Sequence, residues 1–150
     1  PMPWQILAIT FTNKAANELK ERLVKMLGDN AADIWACTFH SACLRILRKN
    51  GDKLGFSSHF TIYDTDDSKR VMKECQKLLG VDDKFLSHKT ILNEISRAKD
   101  SLISPDDYLK AAGNDVRLRK MGECYKKYQQ LLKNADAMDF DDIIANTVAL

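Results

Sequence analysis

Two short apolar segments, each followed by Thr-Phe and then by an amphipathic helix, constrain the fold of this chain most strongly. Residues 6–9 and 34–37 are apolar without alternation, which is typical of strands covered on both faces of a parallel sheet. A helix is predicted after each strand, at residues 13–27 and 41–50, because apolar side chains recur there at helical spacing. The order strand–helix–strand–helix predicts a parallel α/β unit.

The remainder of the chain has helical periodicity. A short extended segment is predicted at residues 60–63 and a loop at residues 134–137. Helix starts are predicted at Asp64 or Thr65, Ser87, Ser104, Val116 and Asp139. The side chains expected to face inward include Val71, Met72, Cys75, Leu78, Leu79, Ile91, Leu92, Ile95, Ala98, Leu118, Met121, Tyr125, Tyr128, Leu132, Ile143, Ile144 and Val148. The predicted fold class is mainly α, with a small, incomplete parallel α/β part at the N-terminus whose further strands are expected in a longer parent protein.

Composition argues against a general polyanion-binding surface. The chain has 23 Lys and Arg and 21 Asp and Glu residues, a net charge of +2, so any grip on nucleic acid must be local. Its four cysteines lack metal-type spacing and lie in apolar patterns, which predicts reduced, buried thiols. No apolar run is long enough to cross a membrane and no signal segment opens the chain, so no membrane partner is expected and a cytosolic location is the default.

The repeated Thr-Phe junction is the main candidate for a binding site. Ligands of open α/β sheets bind at the carboxyl ends of the strands, where Phe11 and Phe39 are expected. An exposed phenylalanine can stack on an unpaired base, which contributes roughly 1–3 kcal/mol per base. The helix N-terminus behind each phenylalanine suits a phosphate. The polar candidates for contacts with a nucleic-acid strand are Thr10, Thr12, Asn13, Lys14, Thr38, His40 and Ser41.

A structural interpretation of the same residues remains open at this point. The two phenylalanines can close the top of the core, and short polar residues most commonly cap helices. The histidine can satisfy a local hydrogen bond. Lys14 and Arg22 can be solvated charges on a helix face.

An acidic segment, Asp139-Phe140-Asp141-Asp142, invites a metal-site hypothesis. A hard cation needs several converging oxygens, and no further ligands are apparent in the sequence. Helix capping and the favourable interaction of acids with a helix N-terminus explain these residues sufficiently. No metal site is therefore assigned.

Several segments, in order along nearly the whole chain, resemble the motifs of a known helicase family. These segments are residues 6–16 with Glu18, Leu19 and Arg22, then 38–41 with 45–48, then 125–129, and finally 139–144. The first set resembles motif Ia of the UvrD/Rep/PcrA family of superfamily 1 DNA helicases, and the second resembles motif Ib. The last two resemble the segment that returns from the helical 1B subdomain to the motor core.

The resemblance implies a motor that hydrolyses ATP to move 3′ to 5′ along single-stranded DNA and to part the duplex. The implied strand contacts are a base stack by Phe11, backbone contacts by Thr12 and Asn13, a contact by His40, and a turn shaped by Thr38 and Ser41. Arg22 is implied to lie near the nucleotide in the intact motor. The implied partners are single-stranded DNA, junctions of single and double strands, and the remaining motor domains of the same chain.

The resemblance also implies a division into three parts. Residues 1–55 would be a partial RecA-like motor domain 1A, residues 56–138 the helical subdomain 1B, and residues 139–150 a return segment toward domain 1A. ATP and Mg²⁺ are the implied cofactors of the full-length protein. The sequence contains neither Gly-x-x-x-x-Gly-Lys-Thr/Ser nor Asp-Glu-x-Gln-Asp, which in the family flank this region. We therefore expect a piece of a longer protein that alone binds no cofactor and hydrolyses no ATP.

Three alternatives remain open on the sequence. The motor part of a RecB- or AddA-like helicase–nuclease would share the same motifs. A non-catalytic DNA-binding module would use the Thr-Phe junctions without any motor. A helical protein-interaction domain would use the α/β part for packing alone.

Overall fold

The computed structural model describes residues 1–150, which form seven α-helices and four short strands. The strands are β1 (Leu7–Thr10), β2 (Trp35–Thr38), β3 (Thr61–Tyr63) and β4 (Ala137–Asp139). The helices are α1 (Asn13–Leu27), α2 (Phe39–Asn50), α3 (Thr65–Leu79), α4 (His88–Asp100), α5 (Pro105–Ala112), α6 (Val116–Asn134) and α7 (Phe140–Ala149). Short 3₁₀-helices occupy Pro3–Gln5, Gly28–Asp33 and Gly51–Leu54. This confirms the predicted class, mainly α with a small parallel α/β part.

The N-terminal part is the predicted strand–helix–strand–helix unit. Strands β1 and β2 pair in parallel, and Ala8 lies opposite Ala36. Helix α1 has the predicted bounds, whereas α2 begins at Phe39, two residues earlier than predicted. The expectation that β1 is covered on both faces is wrong for this chain, since Leu7 and Ile9 are exposed. Leu7 and Ile9 alternate with the half-buried Ala8 and Thr10, so they lie on the same face of the sheet, and that face is uncovered.

Only one of the two strands of the second sheet was predicted from the sequence. The extended segment around Thr61–Tyr63 is confirmed as β3, but it pairs in parallel with Ala137–Asp139, where a loop ending at Ala137 was predicted. The paired strands are three residues long and stand far apart in the chain, so no local pattern announces their pairing. The pairing returns the chain from the helical part to the start of α7.

Capping side chains start most of the helices, as the sequence predicted. Asp64, Ser87, Ser104 and Asp139 each accept a hydrogen bond from a backbone N–H of the helix they precede. Asp115 caps α6 in the same way, one residue before the predicted start. The predicted boundaries hold because these short acceptors satisfy N–H groups that have no partner within the helix.

Two hydrophobic cores hold the chain together. The larger one, the helical core, is formed by α3, α4 and α6, and its buried side chains include Met72, Cys75, Leu86, Ile91, Ile95, Met121, Tyr125, Tyr128 and Leu132. The smaller one, the bridging core, consists of Cys43, Leu47, Phe60, Met138 and Ile143. It joins α2 to α7 and to the second sheet. The division into residues 1–55, 56–138 and 139–150 stays a prediction, and the bridging core contains residues from all three ranges.

Some individual side chains differ from expectation. Leu78 and Val148, which were expected to face inward, are exposed; Val148 lies in the last turn of α7, where residues 148–150 are all exposed. Tyr125 and Tyr128 are buried in the helical core, as predicted. All four cysteines are free; three are buried and Cys37 is half-buried. No helix combines the length and apolar character that a membrane crossing requires.

Candidate nucleic-acid interface

The predicted Thr-Phe junctions lie side by side at one edge of the first sheet. Thr10 is paired directly with Thr38 in the parallel register, so Phe11 and Phe39 follow at the same carboxyl edge. We call residues 10–14 and 38–41 the binding edge. Phe11 is 94% exposed and Phe39 is 40% exposed. The alternative in which Phe11 closes the top of the core is therefore excluded, whereas Phe39 is partly covered.

The hydroxyl groups of the binding edge shape the two helix starts. The Thr12 hydroxyl oxygen accepts the N–H of Ala15 at 3.1 Å, and the Thr38 hydroxyl oxygen accepts the N–H of Ser41 at 3.2 Å. Ser41 is therefore not the cap of α2, although the Thr38 hydroxyl donates to its Oγ at 2.8 Å. The Thr10 hydroxyl donates to the Thr12 carbonyl oxygen at 3.2 Å. These bonds support the structural interpretation of the threonines and also fix the two phenylalanine-bearing turns.

The charge around the two helix starts favours an anion. Neither α1 nor α2 has an acidic residue in its first turn, and Lys14 is exposed in the first turn of α1. By contrast, α3 and α5 each begin with two acids. Free N–H groups and the positive end of the helix dipole attract phosphate, and an acid at the same place would oppose it. The arrangement suits a nucleic-acid strand whose phosphates lie against the first turns of α1 and α2.

His40 makes a contact that the sequence did not predict. Its imidazole stacks on the ring of Phe140, with 4.2 Å between ring centroids and 25° between the planes. Phe140 is 59% exposed and is the first residue of α7. Phe140 follows the last residue of β4 as Phe11 follows that of β1 and Phe39 that of β2, but β4 was not predicted, so the sequence alone did not reveal this third position. Phe140 thus adds a third exposed ring beside the binding edge.

The acids around Phe140 form a buried ion-pair cluster. The Lys99 ammonium lies 2.7 Å from Asp139 Oδ2 and 2.9 Å from Asp142 Oδ1. Burial opposes ionisation of Asp139, but attraction to the Lys99 ammonium and several hydrogen bonds hold the pKa of Asp139 below its ordinary value. Burial raises the pKa of Asp142. The structure thus gives Asp139 and Asp142 a lysine partner in addition to the predicted capping function.

The remaining candidate, Arg22, lies apart from the binding edge. It is exposed on α1, nine residues beyond Asn13, which places it about 13 Å along the helix axis from the helix start. The structure therefore brings together Thr10, Phe11, Thr12, Asn13, Lys14, Thr38, Phe39, His40 and Ser41, but not Arg22.

The fold defines a class: α/β proteins in which ligands bind at the carboxyl ends of the parallel strands, here followed by a mainly helical part. Residues 2–150 match the family described as UvrD/REP helicase N-terminal domain, and the chain belongs to that family. This confirms the family resemblance seen in the sequence.

Relatives with curated descriptions agree with this assignment. The chain is 44% identical over 149 residues to a protein of Leuconostoc citreum described as ATP-dependent DNA helicase PcrA. It is 45% identical over 148 residues to the protein of that description from Bacillus subtilis (strain 168), and 43% identical over 148 residues to that from Staphylococcus aureus (strain Mu50). Each match covers 99% of this chain but 20% of the relative, so the chain spans about a fifth of their length.

Proposed function

We propose that this chain supplies part of the DNA-contacting surface of an ATP-dependent helicase that moves 3′ to 5′ along single-stranded DNA. The observation that carries the proposal is the exposure of Phe11, 94%, at the carboxyl edge of a parallel sheet in a chain of the UvrD/REP family. Covering an apolar ring of this size is worth roughly 1.5–3 kcal/mol, so a ligand that stacks on it would gain affinity. Membership of a helicase family makes a nucleobase the natural ligand.

The binding edge would hold the strand without reading its sequence. Phe11 would stack on a base, because every base presents a π-face. Asn13 and Lys14 would meet the backbone phosphates together with the N–H groups of the first turn of α1. His40 would contact the same strand from α2, while the Thr38–Ser41 hydrogen bonds hold its turn. Net charge contributes little here, so affinity would come from a few placed contacts.

The residues that hold ATP and Mg²⁺ are proposed to lie mainly in other parts of the full-length protein. The residues present do not fit a triphosphate: no Gly-x-x-x-x-Gly-Lys-Thr/Ser segment exists to cradle phosphates. Asp139 and Asp142 face the Lys99 ammonium and not a cation site. Of the residues present, we assign only Arg22 to the neighbourhood of the nucleotide.

The partners follow from the same proposal. Single-stranded DNA would occupy the binding edge, and the helical subdomain at residues 56–138 would lie toward the junction of single and double strands. The other motor domains of the same protein would complete the grip on DNA and cover the exposed side chains of β1.

The proposal is tested in the full-length protein that carries this segment. Phe11→Ala and His40→Ala are each expected to reduce strongly the stimulation of ATPase by oligo-dT, because stacking and positioning of the strand are lost. Phe85→Ala is the matched control, since Phe85 is 54% exposed in the loop between α3 and α4, outside the binding edge. Wild-type stimulation in both test variants would reject the site.

A further inference from the structure

Lys99 is the one buried basic side chain of the chain, 4% exposed near the end of α4. It pairs with Asp139 and Asp142 at the distances given above. Buried ion pairs add little net stability compared with apolar packing of the same volume. The contacts of this cluster are therefore of interest for what they position as well as for stability.

The two carboxylates enclose the first turn of α7. The backbone N–H of Asp142 donates to Asp139 Oδ1 at 2.9 Å, and the backbone N–H of Asp139 donates to Asp142 Oδ2 at 3.1 Å. Lys99 contacts both side chains of this reciprocal cap, so it fixes both ends of the turn. Phe140, one of the two residues between them, stacks on His40. A short run of direct contacts thus connects α4 with the first turn of α2.

Neutral groups attach the same carboxylates to the neighbouring helices. The Tyr128 hydroxyl lies 2.8 Å from Asp139 Oδ2 and 2.9 Å from Ser68 Oγ. The Gln129 amide donates to Asp142 Oδ1 at 3.1 Å. The start of α7 is therefore held by α3, α4 and α6, and Lys99 provides the only charge among these anchors.

We propose that Lys99 is a positioning residue for DNA binding: through Asp139, Asp142 and Phe140 it fixes the orientation of His40 and connects the helical subdomain to the binding edge. This inference rests on the proposed function. It assigns to a buried lysine an effect on DNA affinity, although the lysine touches no DNA. Coupling of this kind requires a contiguous set of contacts whose members are fixed together.

The experiment is a fluorescence-anisotropy titration of labelled oligo-dT with the full-length protein, reporting Kd and binding stoichiometry separately. The variants are Lys99→Met and the double variant Lys99→Met/Asp142→Asn, which removes the ammonium and one acidic group together and leaves Asp139 its Tyr128 partner. Each is expected to raise Kd roughly 2- to 30-fold at full stoichiometry. Repeated in a Phe140→Ala background, the same substitutions are expected to change Kd by less than about twofold, because the path is already broken.

If Lys99 served only to stabilise the fold, its substitution would not act on Kd through Phe140. A core substitution elsewhere in α4 is the control. Ile91→Val, a core substitution in the same helix, is expected to leave Kd unchanged. An unchanged Kd in the lysine variants, an equal fold-change in both backgrounds, or loss of folded protein in both lysine variants would overturn the inference. Phe11→Ala in the same titration separates this failure from that of the proposed function: if Phe11→Ala weakens binding and the lysine variants do not, only the inference about Lys99 fails.

Discussion

Thr10 and Thr38 are paired directly across β1 and β2, so the residues that follow them leave the sheet at the same edge. Neighbouring strands lie about 4.8 Å apart, which sets the two following rings close to each other. The more exposed of the two is Phe11. Most of the expected stacking energy should therefore come from Phe11. Because its side chain is exposed, Phe11 can be substituted without disturbing the core.

Substitutions of Phe11 should distinguish stacking from simple apolar contact. Phe11→Trp keeps an aromatic face and should keep affinity for oligo-dT, whereas Phe11→Leu keeps an apolar side chain and should lose roughly 1–3 kcal/mol of binding energy. Anisotropy titrations of the full-length protein at fixed salt measure both. Folding should be unaffected because the side chain is exposed. Equal affinity of the leucine variant and the wild type would show that Phe11 does not stack on a base.

The sequence was sufficient where local patterns decide the structure. The two strands lie within one residue of their predicted bounds, and Thr12 is one of the cap residues that the sequence offered. The exposure of Phe11 did not follow from the sequence, which left a core position open. The start of α2 was misplaced because Ser41 and Thr38 are both good caps, and only the backbone shows that Thr38 accepts the N–H of Ser41. Serine is the more favoured N-cap residue of the two, so local propensity alone pointed to the wrong position.

Features that depend on distant contacts were missed. Strand β4 is recognisable only through its pairing with β3, and Phe140 only through its contact with His40. Lys99 follows the pattern of an exposed lysine near a helix C-terminus, where lysine is favourable. Its burial results from Asp139 and Asp142, which lie about forty residues later in the chain. A single sequence contains no local sign of that partnership.

The bridging core should supply most of the stabilisation that holds α2 against α7. Leu47 is completely buried in it, so Leu47→Ala should lower the free energy of unfolding by about 2–5 kcal/mol through lost burial and the cavity left behind. Leu78→Ala is the matched control: this leucine is exposed, and its loss should cost no more than about 0.5 kcal/mol. Urea unfolding monitored by circular dichroism measures both. Equal costs for the two leucines would contradict the assigned burial.

Helices α5 and α6 approach closely at Gly122. A Cβ at this position would lie 2.6 Å from Leu109 Cδ2 and 2.9 Å from Leu109 Cγ. Gly122→Ala should therefore destabilise the chain. Overpacking should cost about 1–3 kcal/mol, which outweighs the gain in helix propensity of about 1 kcal/mol.

The same contact predicts non-additivity. In a Leu109→Ala background the two closest contacts of the new methyl group are removed and Tyr108 Cδ1, at 3.1 Å, remains. The double variant should therefore be more stable than the sum of the two single effects implies. Chemical denaturation of the four proteins in the cycle measures the coupling. An alanine variant at position 122 more stable than the wild type would show that the helices separate without cost.

The loop between α3 and α4 should make stability depend on acid. Asp83 Oδ1 accepts the backbone N–H of His88 at 2.9 Å and lies 2.9 Å from His88 Nδ1, and the Gln76 amide donates to it at 3.1 Å. Led by the backbone hydrogen bond, these contacts lower the pKa of Asp83 to about 2, from an ordinary value of 3.8. Because the folded-state pKa is the lower one, the stabilisation is fully present above about pH 4 and is lost as the pH falls toward 2.

Over that window the free energy of unfolding should fall more steeply for the wild type than for Asp83→Asn. Raising NaCl to 1 M should change the difference little, since hydrogen bonds and not distant charges set it. Parallel slopes for the two proteins between pH 4 and 2 would mean that these contacts do not favour the ionised carboxylate.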